Sequence, residues 1–264
     1  MDSSLLQLII FGTAAAAANV LGGLLLFPSK FRTEYRWLLR YLLALGAGFM
    51  LAVTFLEIVP RTITLWQTTS TGSDDLHIPM LLFLGGYVLT QLFEHTIAPH
   101  FHTGQEAHAE SVIMPQSAYA GIGGLMIHTF LDGVAIAAAT QLDPKAGFLV
   151  FIAVFLHKFP EGLTIASMVL AAGQGIRQVT FATTTVGLAT LFGVILFYFL
   201  GTSLGVSAAY VLPVASGITL YVAASDLIPE VNHHGGRTPM VSISVLAGVI
   251  IFFVLRSAVP EAGH

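Results

Sequence analysis

The chain contains no cysteine in 264 residues. Disulfides, thiolate metal ligands and thiol nucleophiles are therefore all excluded, and any metal bound here is held by nitrogen and oxygen. Charge is scarce as well: Asp, Glu, Lys and Arg make up 9% of the residues, against roughly a quarter in a soluble domain. That is too little to cover a globule with a polar shell. The formal charge of -4 offers no basic surface, so nucleic acid is not an expected partner. Met1-Asp2-Ser3-Ser4 lacks the basic start of a cleavable signal. No Gly-x-x-x-x-Gly-Lys-Ser/Thr loop occurs, which argues against direct use of ATP, and no His-Glu-x-x-His pair marks a zinc hydrolase.

What the chain does have is apolar length. Residues of the AVILMFWYC set make up 55% of it, and the mean hydropathy is +0.84. A helical span needs about 20 apolar residues. Eight stretches qualify: 5–27, 37–60, 79–98, 117–139, 146–172, 178–200, 206–230 and 239–257. Pro28, Gly72, Asp143-Pro144, Gly173 and Gly235-Gly236 punctuate the connections between them. The expectation is an all-α integral membrane protein of eight transmembrane helices forming one domain over 1–264. With the first residue outside, Lys30, Arg32, Arg36, Arg40, Arg177 and Arg237 fall on the inner side. Only Arg61, Lys145 and Arg256 then remain outside. The excess of inner positive charge predicts both termini outside the cytosol and a cytoplasmic loop at 99–116.

The second and seventh stretches share a pattern without gaps. Gly48, Leu51, Val53, Glu57 and Pro60 align on Gly217, Leu220, Val222, Asp226 and Pro229. Spans two and seven run in opposite directions, so an inverted repeat is expected, with a binding site where its halves meet.

Two further phrases repeat within the fourth and fifth stretches. They are His128-Thr129-Phe130-Leu131-Asp132-Gly133 and His157-Lys158-Phe159-Pro160-Glu161-Gly162. Each places an imidazole and a carboxylate four residues apart, on one helix face. Ionisable groups at membrane depth are costly and call for a partner. The short Asp143-Pro144 turn brings the two spans together as a hairpin and both pairs to similar depth. A hydrogen-bonded network is one way to satisfy four such groups, but a divalent cation explains why all of them converge. Gly133 and Gly162 are expected to let the hairpin helices approach closely. Pro160 is expected to kink the fifth helix between its two ligands.

These phrases resemble those of the ZIP (Zrt/Irt-like) divalent-metal transporters, in a bacterial-type chain. The likeness extends to the Pro60-ended second span and to Leu220-Tyr221-Val222 through Glu230 in the seventh. It implies eight helices, a homodimer in a bacterial inner (cell) membrane, and import of a divalent metal ion into the cytosol. It also implies that His128, Asp132, His157 and Glu161 form the transport site. Ligands of this type suit Zn²⁺ first, then Fe²⁺, Mn²⁺ or Cd²⁺. No enzyme cofactor and no catalytic residue are expected; the rival reading is an intramembrane metal-dependent hydrolase with Glu161 as base.

Two departures from the family matter. Members with a two-metal centre usually carry an amide after the first His and an acid after the second, where this chain has Thr129 and Lys158. The sixth span also offers no acid. A single-metal centre is expected, with the Lys158 ammonium standing in for a second ion. Glu57 is a candidate for attracting cations at the outer end, and Asp226, Glu230, His233 and His234 for receiving them inside. His95, His100, His102 and His108 in and beside the inner loop are candidates for weak metal binding.

Overall fold

The computed structural model describes residues 3–25, 36–69, 76–96, 115–204, 208–235 and 239–258, and every regular element among them is helical. Helix α1 is Ser3–Leu24 and α2 is Arg36–Val53. A π-helical segment, Thr54–Ile58, joins α2 to α3, Val59–Thr69. Then follow α4 (His77–Thr96), α5 (Pro115–Leu142), α6 (Pro144–Ala171) and α7 (Ile176–Leu204). Helix α8 (Ala208–Tyr221) passes through a second π-helical segment, Val222–Leu227, into α9 (Ile228–Gly235). Helix α10, Pro239–Ala258, is the last described.

Among the described residues, seven helical stretches are long and apolar enough to cross a membrane. In α4 the apolar part, His77–Phe93, is shorter. The chain is an all-α integral membrane protein. Most expected boundaries fall within a few residues of the helix ends. The second span departs furthest: it was expected to stop at 60 but runs on through α3 to Thr69. Pro60 does not end it because the helix widens into the π segment just before the ring, where the Val59 N–H reaches the Thr54 carbonyl. Widening relieves the clash that a proline makes with the preceding turn. Pro229 follows the second π segment in the same way, with the Ile228 N–H bonded to the Ala223 carbonyl.

The hairpin that carries both repeated phrases is built locally. Asp143 caps α6, accepting the Lys145 N–H at 2.8 Å, with Pro144 in the first turn, where its missing N–H costs nothing. At the other end of α6, Gly173 adopts φ +74°. The Gln174 N–H closes back on the Val169 carbonyl and the Gly173 N–H on Leu170, the left-handed glycine stop of a Schellman motif.

Four helix crossings are made by glycine pairs at backbone contact. A Cβ on Gly22 would run into the Phe159 carbonyl, and one on Gly162 into the Asn19 carbonyl, so α1 and α6 touch along their main chains. Gly133 and Gly193 do the same between α5 and α7, against Thr190 and Phe130. Gly48 with Gly248 joins α2 to α10, and Gly86 with Gly217 joins α4 to α8. Small residues let membrane helices gain close dispersion contact where no hydrophobic effect separates them from lipid. The expected closeness within the hairpin is thus corrected: Gly133 and Gly162 face α7 and α1, not each other. The apolar core lies between α1, α2, α5 and α6, where Phe11 stacks on Phe151 with ring centroids 4.2 Å apart.

Candidate metal centre

Within this apolar bundle the buried polar side chains Asn19, Thr129, Asp132, His157, Lys158 and Glu161 meet where the last turns of α1 cross the middle of α5 and α6. The spacing of four places His128 above Asp132 on α5 and His157 above Glu161 on α6. The hairpin brings the two faces together. One ligand atom from each of these four residues lies within 4.8 Å of all the others.

Asp132 is the near corner. Its Oδ2 is 3.1 Å from His157 Nε2 and 3.3 Å from His128 Nε2. Glu161 Oε2 stands further back, 4.0 Å from each imidazole Nε2. Metal–ligand bonds of about 2.0–2.2 Å place the corners of a tetrahedron roughly 3.3–3.6 Å apart. The Asp132 side of the cluster already has that spacing, and Glu161 has about half an ångström to close.

The orientation of His157 is set from behind. Its Nδ1 donates to the Ala153 carbonyl at 3.0 Å, since a carbonyl only accepts. The Nε2 lone pair is then aimed at the carboxylates. Acceptor faces acceptor, an arrangement that needs a cation or a proton between. Among the described residues His128 has no such anchor: its Nδ1 is buried without a hydrogen-bond partner there. Its ring lies 5.7 Å from that of His157, centroid to centroid.

Lys158 and Thr129, singled out in the sequence as departures, join the same cluster. Lys158 is fully buried. Its Nζ is 2.6 Å from Glu161 Oε2, 2.7 Å from Asp132 Oδ2 and 3.0 Å from Thr129 Oγ1. The Thr129 hydroxyl donates to Glu161 Oε1 at 2.8 Å. Asn19 completes the shell, and sequence reasoning missed it: its Nδ2 donates to Glu161 Oε1 at 2.7 Å. The available signal was an amide directly after the Ala14–Ala18 run of a mostly apolar helix. Nothing local says that α1 reaches the hairpin, because the crossing depends on Gly22 and Gly162 from distant parts of the chain.

Glu57 is not the solvated acid that its place near a span end suggests. It is 2% exposed and sits apart from the His–carboxylate cluster. Arg61 Nε lies 2.6 Å from Glu57 Oε1, and Arg256 Nε lies 3.2 Å from Oε2. Arg61 also reaches Asp143 at the hairpin turn, Nη2 to Oδ2 2.5 Å. The acid is paired with two guanidiniums, one from the next turn and one from α10.

Asp226 falls in the second π segment, and Glu230, His233 and His234 in α9; their side chains lie outside those described. His95 is exposed near the end of α4, its Nδ1 3.0 Å from the Gln91 carbonyl. His100, His102 and His108 lie outside the described residues, as does most of the loop at 99–116. Helix α6 runs on as α-helix through Pro160, so the proline does not break the element that carries His157 and Glu161.

A family model described as ZIP Zinc transporter matches residues 3–121 and 102–256. The zinc transporter foi of Drosophila melanogaster is 30% identical over 174 residues, covering 64% of this chain and 24% of the fly protein. Human zinc transporter ZIP4 is 35% identical over 106 residues, 40% of this chain and 16% of its own length. Zinc transporter ZIP13 of Pongo abelii is 25% identical over 237 residues, 86% of this chain and 71% of that protein. The match thus spans a quarter or less of foi and ZIP4, and most of ZIP13.

Proposed function

The chain belongs to the ZIP zinc transporter family, and from that footing we propose that it carries a divalent metal ion, zinc first, across the membrane. The ion passes through the centre formed by His128, Asp132, His157 and Glu161. One observation carries this reading: the His157 Nδ1–H is held by the Ala153 carbonyl, so Nε2 presents its lone pair to Asp132 and Glu161 at membrane depth. Imidazole and carboxylate together accept Zn²⁺, Fe²⁺, Mn²⁺ and Cd²⁺, and geometry separates them. Transport proceeds into the cytosol, with both termini outside, in a bacterial cell membrane, as a homodimer. A hydrolase would need a carboxylate free to act as base. Glu161, the only spare acid in the cluster, is tied to Lys158, Asn19 and Thr129.

The eight-span, inverted-repeat reading draws support from the crossings. The α1–α6 contact has its counterpart in α7–α5, and α2–α10 in α8–α4, each made by a glycine pair. The aligned acids Glu57 and Asp226 both fall in π segments ahead of the aligned prolines. In proteoliposomes the wild-type chain is expected to take up zinc above the other three ions, competition among them setting the order. Absence of uptake for every ion would end the transport reading.

The centre holds one ion. Lys158 Nζ occupies the place between Asp132, Glu161 and Thr129 where a second cation would neutralise the same oxygens. Metal analysis of purified protein is expected to give one ion per chain, and Lys158→Glu two. A variant that still binds one ion shows that the ammonium does not stand in for a metal.

A further inference from the structure

A carboxylate has about two lone pairs on each oxygen, so its hydrogen bonds limit what it can offer a cation. Glu161 has little left to offer. Its Oε1 accepts the Asn19 Nδ2–H at 2.7 Å and the Thr129 hydroxyl at 2.8 Å. Both lone pairs of that oxygen are thereby taken. Oε2 accepts from Lys158 Nζ at 2.6 Å and keeps one lone pair, and this oxygen is the one 4.0 Å from each imidazole. A metal-bound carboxylate only accepts hydrogen bonds, so the same donors remain matched to it when the centre is loaded. Glu161 can therefore hold an ion through one oxygen and not through two.

The amide that closes Oε1 comes at a cost. Asn19 is fully buried, and its own Oδ1 has no hydrogen-bond partner among the described residues, a state native proteins seldom tolerate without a use. It reaches the hairpin because Gly22 and Gly162 let the main chains of α1 and α6 touch. Restricting Glu161 to one oxygen bears on which ion fits. The cluster offers one ligand atom from each of four side chains, all within 4.8 Å of one another. That suits an ion content with four ligands, as Zn²⁺ is. The larger Mn²⁺ prefers about six oxygen-rich ligands, and a carboxylate open at both oxygens would help to supply them. Resting on the metal-centre reading above, we infer that Asn19 and Thr129 are specificity-determining positioning residues. By occupying Glu161 Oε1 they hold the carboxylate to single-oxygen coordination and favour zinc over larger ions.

Competition between Zn²⁺ and Mn²⁺ for the purified protein in detergent tests this apart from transport. Asn19→Leu and Thr129→Val each remove one donor from Oε1 with little change in volume. Each is expected to raise the Mn²⁺-to-Zn²⁺ affinity ratio about tenfold, whereas Thr129→Ser, which keeps the hydroxyl, stays within about twofold of the wild-type ratio. Should Asn19→Leu fail to fold at its crossing, Thr129→Val carries the test. A fall in both affinities by one factor makes the two residues merely structural and overturns the proposal. Co²⁺ bound in place of zinc reads the geometry itself, because four-ligand Co²⁺ absorbs strongly in the visible and six-ligand Co²⁺ weakly. Strong bands are expected from the wild type, weakening in Thr129→Val as a further ligand enters; weak bands from the wild type also overturn the proposal. If the ratio shifts as stated but no ion is taken up into proteoliposomes, the transport reading fails and the ligation rule stands. A wild-type chain that binds neither ion removes this inference.

Discussion

Glu161→Ala is expected to abolish metal uptake and to destabilise the protein, whereas His128→Ala abolishes uptake at little cost in stability. The difference follows from what each side chain holds. Glu161 accepts from Asn19, Thr129 and Lys158 and also faces both imidazoles. Its removal leaves a buried amide and hydroxyl without their acceptor, and a buried ammonium short of one of two carboxylates. Breaking one side of a buried ion pair costs about 3–5 kcal/mol. His128 Nδ1 has no hydrogen-bond partner among the described residues, so its loss removes a candidate ligand while the Lys158 network stands. The stability change there should be within about 1 kcal/mol. Zinc uptake together with melting temperature in detergent measures both. Equal loss of stability in the two variants would show that Glu161 is not the hub of the network.

Gly162→Leu is expected to yield no correctly folded protein. The obstacle to a side chain at 162 is the Asn19 carbonyl and the Gly23 backbone of α1, main-chain atoms that cannot rotate away. Overpacking of a core by flexible side chains costs about 1–3 kcal/mol; here an entire helix has to move. Because Asn19 sits at that crossing, the displacement would also withdraw the amide from Glu161. Gly123→Ala is the control, since nothing among the described residues lies within 4 Å of a Cβ there. Size-exclusion profiles and yields of the two variants should diverge sharply. A monodisperse, zinc-transporting Gly162→Leu protein would mean that α1 and α6 do not touch as described.

Much of this architecture was legible in the residues because lipid leaves few choices. A backbone in hydrocarbon must satisfy its own hydrogen bonds, so long apolar runs become helices. Two His–carboxylate pairs at a spacing of four must each share a helix face. The Asp143-Pro144 turn made those helices neighbours, and one potential ligand atom from each of the four side chains lies within 4.8 Å of the rest, with Thr129 and Lys158 beside them.

Where a residue finds its partner in a distant helix, local pattern had little to say. Gly133 and Gly162 read as spacers within the hairpin, yet they seat α7 and α1. Glu57 read as an open acid near a span end, yet Arg61 from the next turn and Arg256 from the last helix enclose it. Asn19 went unread in the sequence, yet it holds the oxygen of Glu161 that faces away from the imidazoles. Periodicity determines which side of a helix is polar. Which neighbour that side meets is decided by how closely the backbones pack, and here that depends on pairs of glycines far apart in the chain.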